Sequence, residues 1–329
     1  MIARPEISLV IPTHNRAHLI LHTIEAALTQ TMPFAEILVI DDASTDDTLI
    51  RLRRFGQRIR VIESAKVGVQ AARNLGVEIA ASPYVTLCDS DDLLRPTFVE
   101  TLSAWLAEHE EIDSVYVNYQ SFDESGTAGD IMSGAPAGFL QGGCTDGQFV
   151  FDIPDLYART VSFQPMMPTG ATVKKFFYQA IGGFDPGFDR VPAEDWEYTL
   201  RAVAAGRTAI CMTPLVLIRR HVGNDSRNLL RQALGEVDVL KFALKYHGAA
   251  QSYRDILLAG IRKRCHEVFY ESFRRGQIGV AGSVFPLLER APTTLRFKLK
   301  ALLIRAYKRF DQRDAYTVLD FPPPKERRG

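Results

Sequence analysis

The chain has 329 residues, of which 46% are hydrophobic and 24% are charged, the composition of an ordinary soluble globular protein. Lysine plus arginine and aspartate plus glutamate number 39 each, so no net charge selects nucleic acid as a partner. The four cysteines lie far apart, which excludes the paired spacing of a zinc site and a disulfide framework.

The expected compartment is the cytoplasm. The first residues lack a charged segment followed by an apolar one, so we predict no signal sequence. No run approaches the ~18 consecutive apolar residues of a membrane span. At about 100–200 residues per domain, the length allows one large domain with an extension, or two domains.

Apolar runs of strand length alternate with amphipathic segments over the first 90 residues. Helices are predicted after each of the first three strands. The apolar runs lie at residues 7–11, where Pro12 ends the first one, and at 37–40 and 84–87, and the segment 60–63 is predicted as the third strand in chain order. Strands that are apolar on both faces and alternate with helices indicate an α/β fold with a parallel sheet covered on both sides.

The second part of the chain is more varied. A strand at 115–119 and a glycine-dense loop over 123–147 precede a helix that opens at 192–197 with an acidic first turn. A short strand at 209–212 follows, before Pro214. Three helices with mixed faces are then predicted, at 230–246, 253–274 and 293–309.

The last predicted helix, 293–309, is amphipathic and basic. Such a helix can lie on an anionic membrane surface, or it can pack on the domain with its basic face in solvent. Residues 321–329 contain three prolines and four charges, so we expect a disordered tail. The predicted domains are therefore 1–228, a helical extension over 229–320, and this tail.

Polar and acidic residues directly follow three of the predicted strands. They are 13–16, the pair Asp41 and Asp42, and the stretch 89–92. The carboxyl ends of parallel strands meet at one edge, where ligands bind. Three carboxylates within 89–92 repel one another, and a divalent metal such as Mg²⁺ or Mn²⁺ is a suitable partner. The alternative is a solvated acidic turn that caps the next helix.

Six short motifs over roughly residues 5 to 225 resemble, in their order, those of the family 2 inverting glycosyltransferases. The resemblance implies the nucleotide-diphospho-sugar transferase (GT-A type) fold, an α/β domain with a mixed, mostly parallel sheet flanked by helices, here followed by a C-terminal helical extension. The motifs are IPTHNR at 11–16, VIDDAS at 39–44, ARNLG at 72–76, DSDD at 89–92, GGFD at 182–185 and EDW at 194–196.

The resemblance also implies roles for individual residues. Asp195 matches the family's catalytic base. Asp91 and Asp89 match its metal motif, and His221 resembles a late histidine near the diphosphate that is a metal ligand in some members. The residues implied to hold the nucleotide are Pro12, Thr13, Asn15, Asp42, Arg73 and Asp89.

The implied reaction is a metal-dependent inverting transfer of a sugar from a nucleotide-diphosphate donor, typically a UDP-sugar, to a hydroxyl of a glycan or glycolipid. Mn²⁺ or Mg²⁺ is the implied cofactor, and cell-envelope polysaccharide synthesis at the inner membrane face is the usual setting. Two alternatives are a non-catalytic nucleotide- or sugar-binding module and a sugar-nucleotide pyrophosphorylase. The second is disfavoured because 12–16 lacks a glycine- and arginine-rich loop.

Overall fold

The computed structural model describes residues 4–221, 228–288, 297, 299–300 and 302–304. Its strands are β1 (Ile7–Thr13), β2 (Glu36–Asp42), β3 (Arg60–Ser64), β4 (Tyr84–Leu87), β5 (Leu93–Leu94), β6 (Ser114–Asp123), β7 (Gly126–Asp130), β8 (Cys144–Asp146), β9 (Phe149–Phe151), β10 (Thr172–Lys174) and β11 (Thr208–Arg219). Its helices are α1 (Ile20–Leu28), α2 (Thr48–Leu52), α3 (Val69–Ile79), α4 (Phe98–Leu106), α5 (Leu156–Ser162), α6 (Lys175–Ile181), α7 (Glu194–Ala205), α8 (Leu229–Tyr246), α9 (Arg254–Arg274) and α10 (Ile278–Val284).

The strands form one mixed sheet in the order β3-β2-β1-β4-β10-β6-β11-β9-β8. β3, β2, β1 and β4 are parallel, and β10 is antiparallel to both β4 and β6. β11 is parallel to β6, so it points in the same direction as β4. The predicted fold class, a mixed and mostly parallel sheet flanked by helices, is confirmed.

β1 and β11 both continue past a proline that was predicted to end them. β1 continues through Pro12 to Thr13, because β4 pairs with β1 only as far as Val10 and leaves Pro12 with one neighbouring strand. β11 runs past Pro214 to Arg219. Its register against β6 shifts between Cys211 and Val216, and this irregularity accommodates the proline.

Residues 123–147 are less irregular than expected. β7 folds back on β6 in antiparallel pairing, a 3-10 turn follows at Ile131–Gly134, and β8 pairs with β9. Arg159 of α5 donates to the carbonyl oxygens of residues 138, 139 and 141 and fastens the remaining loop.

Both faces of the sheet are covered by apolar side chains. Ile20 and Ile24 of α1 and Leu102 of α4 belong to a core cluster with side chains of β1 and β2. A second cluster joins other side chains of the same strands to Val77 of α3 and Phe177 of α6. This two-sided burial explains the continuous apolar runs of the sequence.

The chain divides into two compact units. Unit 1 comprises Met1–Arg190 and Tyr198–Val222, and contains the sheet. Unit 2 comprises Val191–Glu197 and Gly223–Gly329. Within unit 2, α8 and α9 pack together and α10 packs on α9, with Val237, Leu257 and Phe269 among their buried side chains. The domain boundary at residue 228 stays a prediction.

Several expectations concern residues outside the described part of the chain. Most of the predicted basic helix, 293–309, and the whole of the predicted tail, 321–329, lie outside the described residues. None of the helices in the described ranges is long and apolar enough to cross a membrane.

Candidate active site

Most of the residues singled out by the sequence lie at the carboxyl edge of the sheet in unit 1. Thr13 ends β1 and pairs in register with Asp41 of β2. Asp89 and Asp91 follow β4, and His221 follows β11. Since these strands are parallel, their ends meet at one edge.

The loop after β1 is tied to the loop after β2. Asn15 has a left-handed backbone with φ of 53°, which asparagine tolerates better than most residues. Its side-chain oxygen accepts hydrogen bonds from the backbone N–H groups of Thr45, at 2.7 Å, and Asp46, at 3.2 Å. His14 Nδ1 lies 2.8 Å from the carbonyl oxygen of Asp42. Asn15 is therefore part of the framework of this loop.

Asp42 is buried, and backbone groups surround its carboxylate. Oδ1 accepts from the N–H of Val67 at 2.7 Å, and Oδ2 accepts from the N–H of Gly68 at 3.0 Å. Gly68 has a φ of 87°, a conformation that favours glycine. Asp42 thus fixes the turn that leads into α3, the helix that carries Arg73.

Asp89 and Asp91 face cationic side chains. Arg73 Nη2 donates to Asp89 Oδ1 at 2.7 Å, and the guanidinium of this buried arginine lies 4.9 Å from the centre of the Phe184 ring. His221 Nε2 lies 3.0 Å from Asp91 Oδ2, and Arg16 Nε lies 3.8 Å from the same oxygen. The structure therefore brings the residues predicted for metal and nucleotide binding on these strands to a common place.

Asp92 anchors this acidic loop to two other segments. Its Oδ2 accepts from Thr169 Oγ1 at 2.6 Å, and its Oδ1 accepts from the N–H of Arg219 at 2.9 Å. Thr169 Oγ1 in turn accepts from the N–H of Asp89 at 3.1 Å, and Arg219 Nε donates to the carbonyl oxygen of Asp91 at 2.9 Å. These hydrogen bonds fix the path of the chain after β4, and with it the positions of Asp89 and Asp91.

Negative charge accumulates at this edge. Burial raises the pKa of Asp92 well above its ordinary value, and the neighbouring charges of Asp91 and Asp89 add to the effect. Burial and the same carboxylates also raise the pKa of the Cys88 thiol. The carboxylates of this loop therefore favour the arrival of a cation.

The donor types at this edge fit a divalent metal ion. Carboxylate oxygens of Asp89 and Asp91 and an imidazole nitrogen of His221 are ligand types that Mn²⁺ accepts. In the described residues, no group of three or more histidine, cysteine, aspartate or glutamate side chains is arranged to hold a metal. The same oxygen of Asp91 faces both His221 and Arg16. The buried hydroxyl of Thr13 has no hydrogen-bond partner in the described part of the chain.

Asp195 belongs to unit 2 and is the second residue of α7. Ala193, two residues earlier, is buried and has a φ of 62°, which is strained for a residue other than glycine. The first turn of α7 carries Glu194, Asp195 and Glu197, as the helix dipole favours. The role of Asp195 as a base stays a prediction.

Some contributors were not assigned a role from sequence. Arg16 and Asp92 are part of the quoted motifs, so their charges could have been assigned to the site from the sequence. Thr169 and Arg219 gave no such signal, because each is a single polar residue in a loop or at a strand end. Only the folded chain brings them to Asp92.

Comparison with known proteins finds similarity over the first half of this chain. The model of the glycosyl transferase family 2 matches residues 8–156, a range that contains β1, β2 and β4 and the polar segments after them. Glycosyltransferase GlyG of Streptococcus pneumoniae is 35% identical over 123 residues, which are 36% of this chain and 40% of that protein. Chondroitin synthase of Escherichia coli is 33% identical over 125 residues, 37% of this chain and 18% of that protein. The chain covers less than half the length of either relative.

Solved structures share the fold. TarS 1–349 of S. aureus in complex with UDP-GlcNAc has a TM-score of 0.59 and 16% identity, covering 92% of this chain and 87% of that one. The mannosyltransferase PcManGT of Pyrobaculum calidifontis, in complex with GDP-Man and Mn²⁺, has a TM-score of 0.53 and 20% identity, covering 93% and 80%. The sheet is thus of the GT-A type, and residues 8–156 of the chain match glycosyl transferase family 2.

Proposed function

We propose that this protein is a metal-dependent inverting glycosyltransferase that moves a sugar from a nucleotide diphosphate, a UDP-sugar, to a hydroxyl of a glycan or glycolipid. The observation that carries the proposal is the grouping of Arg16, Arg73, Asp89, Asp91 and His221 at the carboxyl edge of the sheet. This mixture of cations and carboxylates suits a diphosphate together with a divalent ion.

Each part of the proposed site has a task in this chemistry. Arg73 and Arg16 supply positive charge for the phosphates, while Asp89, Asp91 and His221 would hold Mn²⁺ or Mg²⁺. The ion, when bound, stabilises the charge that develops on the leaving diphosphate. Thr13, with its buried hydroxyl, and Pro12, Asn15 and Asp42 belong to the part proposed to hold the nucleoside.

Asp195 is proposed as the base that takes the proton from the acceptor hydroxyl as it attacks the anomeric carbon. An inverting displacement needs one such base. The support is the match of residues 194–196 to the family motif and the acidic first turn of α7. Asp195→Asn should therefore keep nucleotide affinity while turnover falls by about 10²-fold or more. Equal turnover in this variant and the wild type removes Asp195 from the role.

The donor and the metal are tested together by calorimetric titration with UDP, in Mn²⁺ and again in EDTA, beside GDP and CDP. We expect UDP to bind in Mn²⁺ and to lose most of its affinity in EDTA. Preference for GDP or CDP changes the donor class. Absence of binding by all three contradicts the proposal and favours a non-catalytic module.

The proposal includes a setting in cell-envelope polysaccharide synthesis, with peripheral contact of residues 293–309 at the inner membrane face. It is supported by Leu299, Leu302 and Leu303, which are between 56% and 59% exposed. Large exposed apolar side chains beside basic residues suit an anionic lipid surface. Flotation with anionic liposomes at low salt should carry the protein upward, and failure to float removes the membrane contact.

A further inference from the structure

We infer that the helices of unit 2 are a positioning device for the proposed base, in which Gly235, His247 and Arg264 fix the first turn of α7. The inference rests on the proposed function, because it concerns the setting of Asp195. Its starting point is the composition of unit 2 itself. Val191–Glu197 clusters with residues after Gly223, although α8 begins 35 residues later in the sequence than α7.

The first contact lies on the N-terminal side of Asp195. Gly235 is in the middle of α8, where a Cβ atom would stand 2.1 Å from the carbonyl oxygen of Pro192. Glycine is unfavourable relative to alanine inside a helix. Its presence here allows the backbone at Pro192 to lie directly on α8. The strained conformation of Ala193 follows immediately.

The second contact lies on the C-terminal side. Glu197 is buried, and His247 at the end of α8 is also buried, with Nε2 3.2 Å from Glu197 Oε1. The imidazole N–H donates to the carboxylate. A buried carboxylate requires a partner of this kind, since its charge is costly away from water. Glu197 is two residues from Asp195 in the same turn.

The third contact holds the residue between them. Trp196 is buried, and the guanidinium of Arg264 in α9 lies 4.5 Å from the centre of its ring. Arg264 is itself held by a bond from Nε to Glu236 Oε2 of α8, at 2.5 Å. The positive charge of a guanidinium is attracted to the face of an aromatic ring, so this contact holds Trp196 against α9.

The segment that begins α7 thus contacts α8 and α9 at three different points, through Pro192, Trp196 and Glu197. Asp195 lies among them and is less buried than Trp196 or Glu197. A carboxylate placed to within a fraction of an ångström is what proton transfer from an acceptor requires. Gly235, His247 and Arg264 are positioning residues in this scheme, and Asp195 is the residue that they position.

A matched glycine pair tests the scheme. Gly235→Ala should shift Pro192, whereas Gly248→Ala places its Cβ in open space. We expect Gly235→Ala to lower kcat about tenfold or more, measured as UDP release from a panel of nucleotide sugars that includes UDP-GlcNAc. The dissociation constant for UDP should change less than about twofold, because unit 1 keeps the residues proposed to hold it. A kcat within about twofold of Gly248→Ala overturns the inference.

A second arm uses His247. His247→Gln keeps an N–H donor for Glu197 and should retain most of kcat, while His247→Leu removes it and should lose about tenfold. Equal losses in the two variants contradict a role for the hydrogen bond. For Arg264, the exposed neighbour Arg262 supplies the control, with Arg264→Ala reducing kcat and Arg262→Ala leaving it unchanged.

Hydrogen exchange separates this inference from the proposed function. Amides of Val191–Glu197 should exchange faster in Gly235→Ala and His247→Leu than in the wild type or Gly248→Ala. Unchanged exchange overturns the fastening by α8. If the wild type turns over no nucleotide sugar and binds no nucleoside diphosphate, the proposed function fails, and the positioning of a base fails with it. A wild type that turns over while the variants match it defeats this inference alone.

Discussion

The acidic residues at the end of β2 and those after β4 look alike in sequence but have different partners. Asp42 accepts hydrogen bonds from the backbone N–H groups of Val67 and Gly68. Asp89 and Asp91 instead face the side chains of Arg73, His221 and Arg16. The first acid is held by the uncharged main chain, and the second pair by charged side chains.

This difference separates framework from ligand site. Main-chain donors cannot leave Asp42 unless the turn before α3 changes its conformation. A phosphate can compete with these carboxylates for the cationic side chains, and a metal ion can compete with the cations for the carboxylates. We therefore expect the acids after β4 to govern the binding of the metal and the diphosphate, and Asp42 to act mainly through the stability of the turn beside the nucleoside.

Replacement of Asp91 by alanine should have the largest effect. Asp91→Ala removes a proposed metal ligand and should reduce turnover by about 10²-fold or more. Mn²⁺-dependent binding of UDP, measured by calorimetry, should weaken as well. The free energy of unfolding should fall by less than about 1 kcal/mol. The fall is small because removal of the Asp91 charge relieves its repulsion of Asp92, which partly offsets the lost contacts of Asp91. Unchanged Mn²⁺-dependent affinity for UDP contradicts this assignment.

Removal of metal should come next. At about 100 times its dissociation constant, Mn²⁺ should raise the free energy of unfolding by about 2.7 kcal/mol, and EDTA should reverse the change. Urea unfolding with and without Mn²⁺ measures it. The increase should vanish in Asp91→Ala and persist in Asp42→Asn. If the wild type unfolds identically in Mn²⁺ and EDTA, the carboxylates after β4 are not a metal site.

Replacement of Asp42 should act on stability. Asp42→Ala leaves the N–H groups of Val67 and Gly68 without their acceptor and should cost about 1–3 kcal/mol in the free energy of unfolding. Asp42→Asn keeps one oxygen acceptor and should cost less. Urea unfolding in EDTA gives both values. A smaller loss for Asp42→Ala than for Asp91→Ala reverses the comparison.

The smallest effect is expected at Ser64. Its hydroxyl lies 3.3 Å from both Asp42 Oδ1 and the carbonyl oxygen of Asp41, so these bonds are long. Ser64→Ala should lower the free energy of unfolding by about 0.5–1 kcal/mol and leave UDP affinity unchanged. A loss as large as that of Asp42→Ala shows that the main-chain donors are not the principal partners of Asp42.

Much of unit 1 was predictable because its signals are local. The sequence pattern placed β1, β2, β3 and β4, and the rule that ligands bind at the carboxyl ends of parallel strands grouped the acidic segments. The order of the motifs indicated glycosyl transferase family 2, whose model matches residues 8–156. The errors came at Pro12 and Pro214, where a missing neighbouring strand and a register shift made proline acceptable.

The supporting contacts were not predictable, because their partners are distant in the chain. Arg219 and Asp92 are 127 residues apart, and Thr169 and Asp92 are 77 apart. Nothing in the local pattern of Thr169 distinguishes it from other loop threonines. The same holds for His247 and Glu197, 50 residues apart in unit 2.

The sequence by itself determined the alternation of strands and helices, the family resemblance and the residue types available for binding a diphosphate and a metal. These follow from hydrophobic periodicity and from motifs only a few residues long. Tertiary structure alone decided which acids accept hydrogen bonds from the backbone and which face cations. It also decided that side chains of α8 and α9 contact the first turn of α7. Such choices depend on the pairing of segments remote in the chain, which short-range pattern does not encode.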